Sequence, residues 1–313
     1  MAKKYLVYNE DCVLGAKKHL KDESVDLVIT DPPFGISESK FDKHYNRKGD
    51  NVIQGYVEAP TDYDAFTTAW MTEATRVLKP NGSMFIVIGH SNLLSVLQSA
   101  KGLGLTTINH LIWKYNFGVA TKKKFVTSHY HILYFTKPKA KPTFNTYCRF
   151  GPQEKHEGKS VLYSDLEDVF FIKKEYQQNK IKNVNKLPEA LIKKIMLYAS
   201  NPGDVVADFF MGSFTTARVA IQTGRFPVGF ELNKNAFKNH RLNDVKRAAD
   251  QMVKVVLPNN QGKKISSSEK EQIKAEFQLL IQSNTKKKSI ELLSKKFERG
   301  KFSIINLVTK DKT

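Results

Sequence analysis

Short apolar runs punctuate the first 250 positions, each rich in β-branched or aromatic residues and each too short for a helix. They fall near 4–8, 25–30, 83–88, 106–114, 130–136, 204–208 and 226–231, and they predict strands. Between them, segments near 12–20, 62–78, 91–101, 188–199, 214–223 and 234–250 predict helices. Strands alternating with helices predict an α/β fold, a doubly wound and mostly parallel sheet.

Two strand ends carry candidate chemistry. Val25, Leu27, Val28 and Ile29 read as a central strand that runs into Asp31-Pro32-Pro33-Phe34. The prolines forbid both strand continuation and a helix start, and Pro33 biases Pro32 towards an extended conformation. A carboxylate at the carboxyl end of a strand, then a rigid corner and a flat ring, suits a site that grips a planar amino group. A proline-rich turn with an N-capping aspartate reads equally well from these residues alone.

The second strand end is Val205–Ala207, closed by Asp208 and followed by Phe209-Phe210-Met211-Gly212-Ser213-Phe214-Thr215-Thr216. Gly212 permits a tight turn into a helix, Gly224 ends that helix, and Phe226–Phe230 form the next strand, closed by Glu231. Such a β-α-β unit, with an acidic residue about twenty positions after the glycine, has the physics of a nucleoside cofactor site. Neither Gly-x-Gly-x-x-Gly nor Gly-Lys-Ser/Thr is present, which argues against dinucleotide oxidoreductases and P-loop nucleotide hydrolases.

Further segments join these in order. They are Tyr8-Asn-Glu-Asp11-Cys12, Arg76-Val-Leu-Lys-Pro-Asn-Gly-Ser-Met-Phe-Ile-Val87, Ile112-Trp-Lys114, His129–Lys137, and Lys182-Asn183 followed by Lys186-Leu187-Pro188. Together the motifs resemble those of the β-class S-adenosylmethionine-dependent DNA amino-methyltransferases over roughly residues 4–245. The resemblance implies a Rossmann-like sheet of about seven strands, one of them antiparallel, with a small helical C-terminal appendage. It implies methylation of adenine N6 in a flipped-out base, with Asp31, Pro32, Pro33 and Phe34 catalytic. It assigns S-adenosylmethionine to Asp11, Lys186, Pro188, Asp208, Phe210, Gly212, Ser213, Thr215 and Glu231. N4-cytosine or RNA amino-methylation stays open, as does a non-catalytic DNA-binding protein on a decayed scaffold.

The chain departs from the family pattern at Phe209, where proline is usual, and at Phe214, where glycine is usual. Phe214 either obstructs close backbone approach to the cofactor or packs between helix and sheet. Neither Cys12 nor Cys148 follows a proline, which argues against cytosine carbon-5 chemistry, and no metal is expected.

Charge adds the partner. Lys and Arg number 50 against 31 Asp and Glu, a formal net charge of +19, which points to a polyanion. Double-stranded DNA is the expected partner, with Lys122, Lys123, Lys124 and Arg149 as candidate contacts in basic, ring-bearing segments. A solvated basic loop would carry the same residues. A homodimer and a cognate restriction endonuclease are further partners consistent with the family. Two cysteines imply no disulfide framework, and the start of the chain shows neither leader nor membrane span, so a cytoplasmic setting in a bacterium or phage-infected cell is expected.

The organisation expected is a catalytic domain over 1–250, with a target-recognition region inserted at about 137–180, and a basic, mostly helical extension over 251–313. That extension holds 14 Lys and Arg against 6 Asp and Glu. Ser268 with Glu271 has capping-box spacing, and Ile273, Phe277, Leu280 and Ile281 then recur at helical spacing. Ile290, Leu293 and Phe297 predict a second helix stopped at Gly300, with Phe302–Leu307 completing the module.

Overall fold

A computed structural model of the protein describes residues 5–34, 59–116, 118, 122–123, 125–145, 155–156, 159–160, 165–174, 186–238, 245–247 and 265–309. Residues 35–58 after the Asp31–Phe34 turn, Lys124, Arg149 and much of the expected recognition region lie outside the described residues.

Among the described residues ten strands form in chain order: β1 (Leu6–Tyr8), β2 (Val25–Thr30), β3 (Leu78–Ile88), β4 (Thr106–Lys114), β5 (His129–Thr136), β6 (Lys155–His156), β7 (Lys159–Ser160), β8 (Val169–Phe171), β9 (Val205–Asp208) and β10 (Phe226–Phe230). Eight of them make one sheet, ordered β1-β10-β9-β2-β3-β5-β4-β8. Only β5 runs antiparallel to its neighbours in that sheet. The eighth strand is β8, which pairs Val169, Phe170 and Phe171 with Ile112, Trp113 and Lys114.

Helices α1 (Cys12–His19), α2 (Tyr63–Val77) and α3 (Leu93–Gly102) cover one face of the sheet, and α4 (Glu189–Ala199) and α5 (Thr215–Gln222) cover the other. Strand β2 shows why both faces must be covered. Val28 packs with Trp70, Met71 and Ala74, while Leu27 and Ile29 pack with Ile192, Ile195 and Val219. A strand buried on both sides is nearly continuously apolar, as this one is. Each such side chain contributes about 1.5–3 kcal/mol by leaving water.

The crossovers decide where a ligand can sit. From β2 the chain passes through α2 to β3 on one side, and from β9 it passes through α5 to β10 on the other. Strands β2 and β9 are neighbours, paired Leu27 with Val206 and Val28 with Ala207. The connections therefore diverge at that pair, which opens a crevice beyond its carboxyl ends.

Contacts divide the chain into two compact units, residues 1–144 with 161–253 and residues 145–160 with 254–313. The second unit contains the β6–β7 pair and three helices, α6 (Ser267–Leu280), α7 (Lys286–Lys296) and α8 (Lys301–Thr309). Ile273, Phe277, Ile290, Leu293 and Ile304 form its own apolar core. One detail corrects the sequence reading. The cap of α6 is Ser266, whose hydroxyl accepts the Glu269 N–H at 3.2 Å, so the box starts two residues before Ser268. The Glu269 carboxylate is also anchored by buried Arg299 at 2.6 Å, which favours that register.

Candidate active site

Three carboxylates gather at the crevice because each terminates a strand of the same sheet. Asp31 follows β2, Asp208 ends β9 and Glu231 follows β10. Thr30, the last residue of β2, ties two of these ends together. Its hydroxyl donates to Asp208 Oδ1 at 2.9 Å and accepts the Phe209 N–H at 3.2 Å. Asp208 Oδ1 also accepts the Phe210 N–H at 3.0 Å.

The turn after β2 is fixed from outside. Tyr63 of α2 donates its hydroxyl to the Pro33 carbonyl at 2.9 Å, and the Asn92 side-chain amide donates to the Phe34 carbonyl. Both anchors come from elements distant in the chain. Asp31 Oδ1 is buried and meets no hydrogen-bond donor among the described residues.

Asp31 lines a pocket with Phe34, Val87, Trp113, Tyr130, Lys174, Lys186 and Leu187. Phe34 and Tyr130 tilt against each other with centroids 5.5 Å apart, and Trp113 lies 5.6 Å from Tyr130. Burial first, and then the charge of Asp208, push the Asp31 carboxyl well above its usual range, while Lys174 pulls it back down. Burial likewise raises Asp208.

The glycine loop is organised by Glu231. Its Oε2 accepts the Gly212 N–H at 2.6 Å and its Oε1 accepts the Asn233 N–H at 2.7 Å. Burial outweighs these bonds and pushes the carboxyl up to about 7. Gly212 has φ +49° and Phe214 φ +59°, so Phe214 adopts the left-handed conformation a glycine would take. Its ring is fully buried with Val7, Met211, Ala217 and Ile221, edge-on to Phe237 at 5.8 Å. The packing alternative is the one observed. A left-handed phenylalanine costs about 1–2 kcal/mol, which burial of its ring offsets.

The other expected residues are placed as follows. Asp11 Oδ1 caps α1, accepting the Val13 and Leu14 N–H groups at 2.9 and 3.0 Å. Phe210 turns its ring towards Trp70 and Phe66. Ser213 and Thr215 are buried and share a hydroxyl–hydroxyl bond of 3.1 Å. Pro188 caps α4, and Lys186 stands in the pocket wall, 3.7 Å from Glu189. Lys122 and Lys123 are exposed.

Sequence reasoning missed Thr30, Trp113, Tyr130 and Lys174. It also missed Arg218, whose buried guanidinium donates to the Ser213 carbonyl at 2.7 Å and to Glu189 at 3.0 Å. Arg218 lies three residues beyond Thr215 on the same helix, and that proximity to the loop was the one available signal.

The DNA methylase family that acts on N6 and N4 amino groups matches residues 25–241, well over half of the chain. The chain belongs to that family. It is 32% identical over 248 residues to the DNA adenine methyltransferase YhdJ of Escherichia coli K12, across 72% of this chain and 78% of that protein. It is 31% identical over 226 residues to the type II methyltransferase M.HpaI of Haemophilus parainfluenzae, across 70% and 68%. Its fold is similar to that of M1.HpyAVI solved with SAM, with a TM-score of 0.55 and 23% identity over 76% of this chain and 99% of that one. This DNA methyltransferase therefore carries its family's sheet, and a crevice at the β2–β9 boundary. No described helix is long and apolar enough to cross a membrane, and no described group of His, Cys, Asp and Glu is arranged to hold a metal ion.

Proposed function

We propose that this methyltransferase transfers a methyl group from S-adenosylmethionine to the N6 amino group of adenine in double-stranded DNA. The observation carrying this reading is the buried Asp31 carboxylate, whose Oδ1 meets no donor among the described residues, in a pocket walled by aromatic rings. A flipped purine offers two amino hydrogens and a flat face, which match that pocket.

The cofactor fit rests on charge. Asp31, Asp208 and Glu231 all have their ionisation suppressed by burial, and Asp208 opposes ionisation of both the others. Such a site favours a cationic ligand. When bound, S-adenosylmethionine supplies an activated methyl group on a sulfonium. Glu231 keeps acceptor capacity for ribose hydroxyls beyond its two backbone bonds. Asp208, Gly212, Ser213 and Thr215 form the loop beside it, and Asp11, Phe210, Lys186 and Pro188 are the remaining candidates for its border.

Asp31 and the Pro32 carbonyl accept the two amino hydrogens of the base, which localises the nitrogen lone pair. Phe34 stacks on the base, and alignment with local electrostatics provides much of the rate. The proton released from nitrogen passes to Asp31 or to water. Asp at the head of the tetrapeptide, and the adenine named for YhdJ, support N6 over N4.

Modification-sensitive sequencing of DNA from a methylation-deficient host making this protein tests the reading, beside an Asp31→Ala control. N6-methyladenine at one short motif, absent from the control, is the expected result. N4-methylcytosine would overturn the target, and absence of any mark would overturn the reaction. Separately, Glu231→Ala is expected to weaken S-adenosylmethionine binding in calorimetry by about tenfold or more. Protonated Glu231 is a poorer acceptor, so wild-type cofactor affinity should rise as pH is raised through about 7.

We assign residues 1–250 to catalysis, with target recognition inserted at about 137–180, and the extension over 251–313 to accessory DNA contact. Its own apolar core and the exposed Lys286, Lys287 and Lys288 support that assignment. Deleting 262–313 should weaken DNA binding and flatten its salt dependence; an unchanged slope would remove the role. The type II name of M.HpaI supports a restriction–modification setting in the bacterial cytoplasm, with a cognate endonuclease. Gel filtration of the full chain tests the remaining expected partner, a second copy.

A further inference from the structure

One face of the sheet is open at its β5–β4–β8 end. Trp113, Ile132 and Phe170 turn to the core that α4 and α5 cover. Alternation along the strands therefore puts His129 and His131 of β5, His110 and Lys114 of β4, and Phe171 of β8 on the opposite face. On that face α3 reaches Leu133 and Phe135, which pack with its Val96 and Ala100. Beyond them the face meets solvent: His110 is exposed, and Phe171 is 78% exposed. The register makes a row across three strands, His129 opposite Lys114 and Lys114 opposite Phe171.

This row borders the catalytic turn. His131 pairs with Ile88 of β3, and at the next residue, Gly89, a β-carbon would lie 3.8 Å from the Phe34 ring. Tyr130, between the two histidines, leans on Phe34 from the other face. The imidazoles are crowded: His110 Nε2 lies 2.8 Å from His131 Nδ1, and the His129 ring stands edge-on to His131 at 5.1 Å. Two nitrogens that close share one proton. Lys114 donates one of its three ammonium hydrogens to the Tyr115 carbonyl at 2.9 Å.

We propose that this open face, His110, His129, His131 and Lys114 with Phe171, is a contact surface for the phosphate backbone of DNA beside the flipped base. The inference rests on the DNA-methylation reading above. Imidazolium and ammonium groups donate to phosphate oxygens, and an exposed ring packs on a sugar or base. A second copy is a poorer occupant, since its own face would bring the same cations against these. The charged groups around His131 are His90 after β3, His110 and Lys114 on β4 and His129 on β5, while Asp168 and Lys173 flank β8. Burial first, and then the charges of His110, His129 and His90, hold His131 down at about 4. An arriving phosphate offsets that repulsion, so the face takes up a proton as DNA binds, and affinity rises as pH falls.

The test is fluorescence anisotropy of a labelled DNA duplex over a range of salt, at about pH 6 and about pH 8. Wild type is expected to bind about tenfold more tightly at the lower pH, with a salt slope steeper by about one phosphate. The triple variant His110→Gln, His129→Gln, His131→Gln should lose most of that gain and keep its affinity at the higher pH. Lys114→Gln should flatten the slope by about one at both pH values. Calorimetry of wild type in two buffers of unlike ionisation enthalpy reads the proton uptake with no substitution at all. Zero uptake would overturn the proposal, as would a triple variant with the wild-type pH response or an unchanged slope in Lys114→Gln. A triple variant that loses a dimer in gel filtration while binding DNA as wild type does would assign the face to a second copy and overturn it as well. If wild type binds the duplex with this pH response but methylates nothing, the functional reading fails and the contact surface stands.

Discussion

Asp31→Ala is expected to reduce methyl transfer by about a hundred- to a thousandfold and yet to raise thermal stability. The two effects share one cause. Asp31 Oδ1 is buried without a donor among the described residues, and such a group costs about 1–3 kcal/mol in the resting protein. Truncation removes that cost, so the melting temperature should climb by a few degrees. It also removes the acceptor proposed to localise the amine lone pair, and losing one preorganised group of this kind costs about 10²–10³ in rate. The Pro32 carbonyl cannot compensate, because it accepts only one of the two hydrogens. Labelled-methyl transfer and differential scanning calorimetry on the same preparation check both halves. Lost activity with lowered stability would mean that Asp31 is a structural residue.

The pH dependence has a definite sign. With its folded-state pKa raised, Asp31 contributes most favourably to stability in acid, and that contribution is lost as pH rises through the raised value. Activity runs the other way, since a protonated Asp31 is a poorer acceptor for the amine hydrogen assigned to it. Conditions that favour the fold at this residue are those in which it fails as an acceptor, a common tension at catalytic positions.

Gly229→Ala is the second large effect. A β-carbon there would lie 2.1 Å from the Asp208 carbonyl oxygen and 2.5 Å from the Met211 terminal methyl. The methionine can move; the carbonyl belongs to β9, whose Asp208 is in register with Gly229 itself. The strands must separate where Glu231 reaches back to Gly212. We expect a loss of about 3 kcal/mol in urea unfolding, together with loss of cofactor binding. Unchanged unfolding would mean that β9 and β10 do not pair in this register.

The strand ends were legible in the sequence because each is a local event. Val25–Ile29 followed by Asp31-Pro32-Pro33 declares a buried strand and its stop within a few residues, and Asp208 and Glu231 follow the same logic. The pocket wall was not legible. Trp113, Tyr130 and Lys174 meet only through the β4–β5 and β4–β8 pairings, which no periodicity announces. Strand β8 escaped notice because its three residues sit beyond the polar stretch Asp165–Asp168, and three residues show no alternation. Strand β3 starts at Leu78, five residues before the apolar run near 83–88 that announces it. Pairing of Leu78 with Val25 across a bulge carries the strand through Lys79-Pro80-Asn81-Gly82. Phe214 left two readings open because the conformation of one residue depends on whether a core lies beside it.

Strand β2 lies at the centre of the finished sheet, but it has an open flank during synthesis. Its partner β9 begins at Val205, and Thr30 meets Asp208 across 178 positions of chain. Until the ribosome has released that stretch, the backbone amides and carbonyls of Val25–Thr30 face outward on one side, beside valine and isoleucine side chains. A bare apolar edge of this kind recruits other strands. Messages truncated before Val205 should therefore yield insoluble product, because the edge that β9 would cover stays bare.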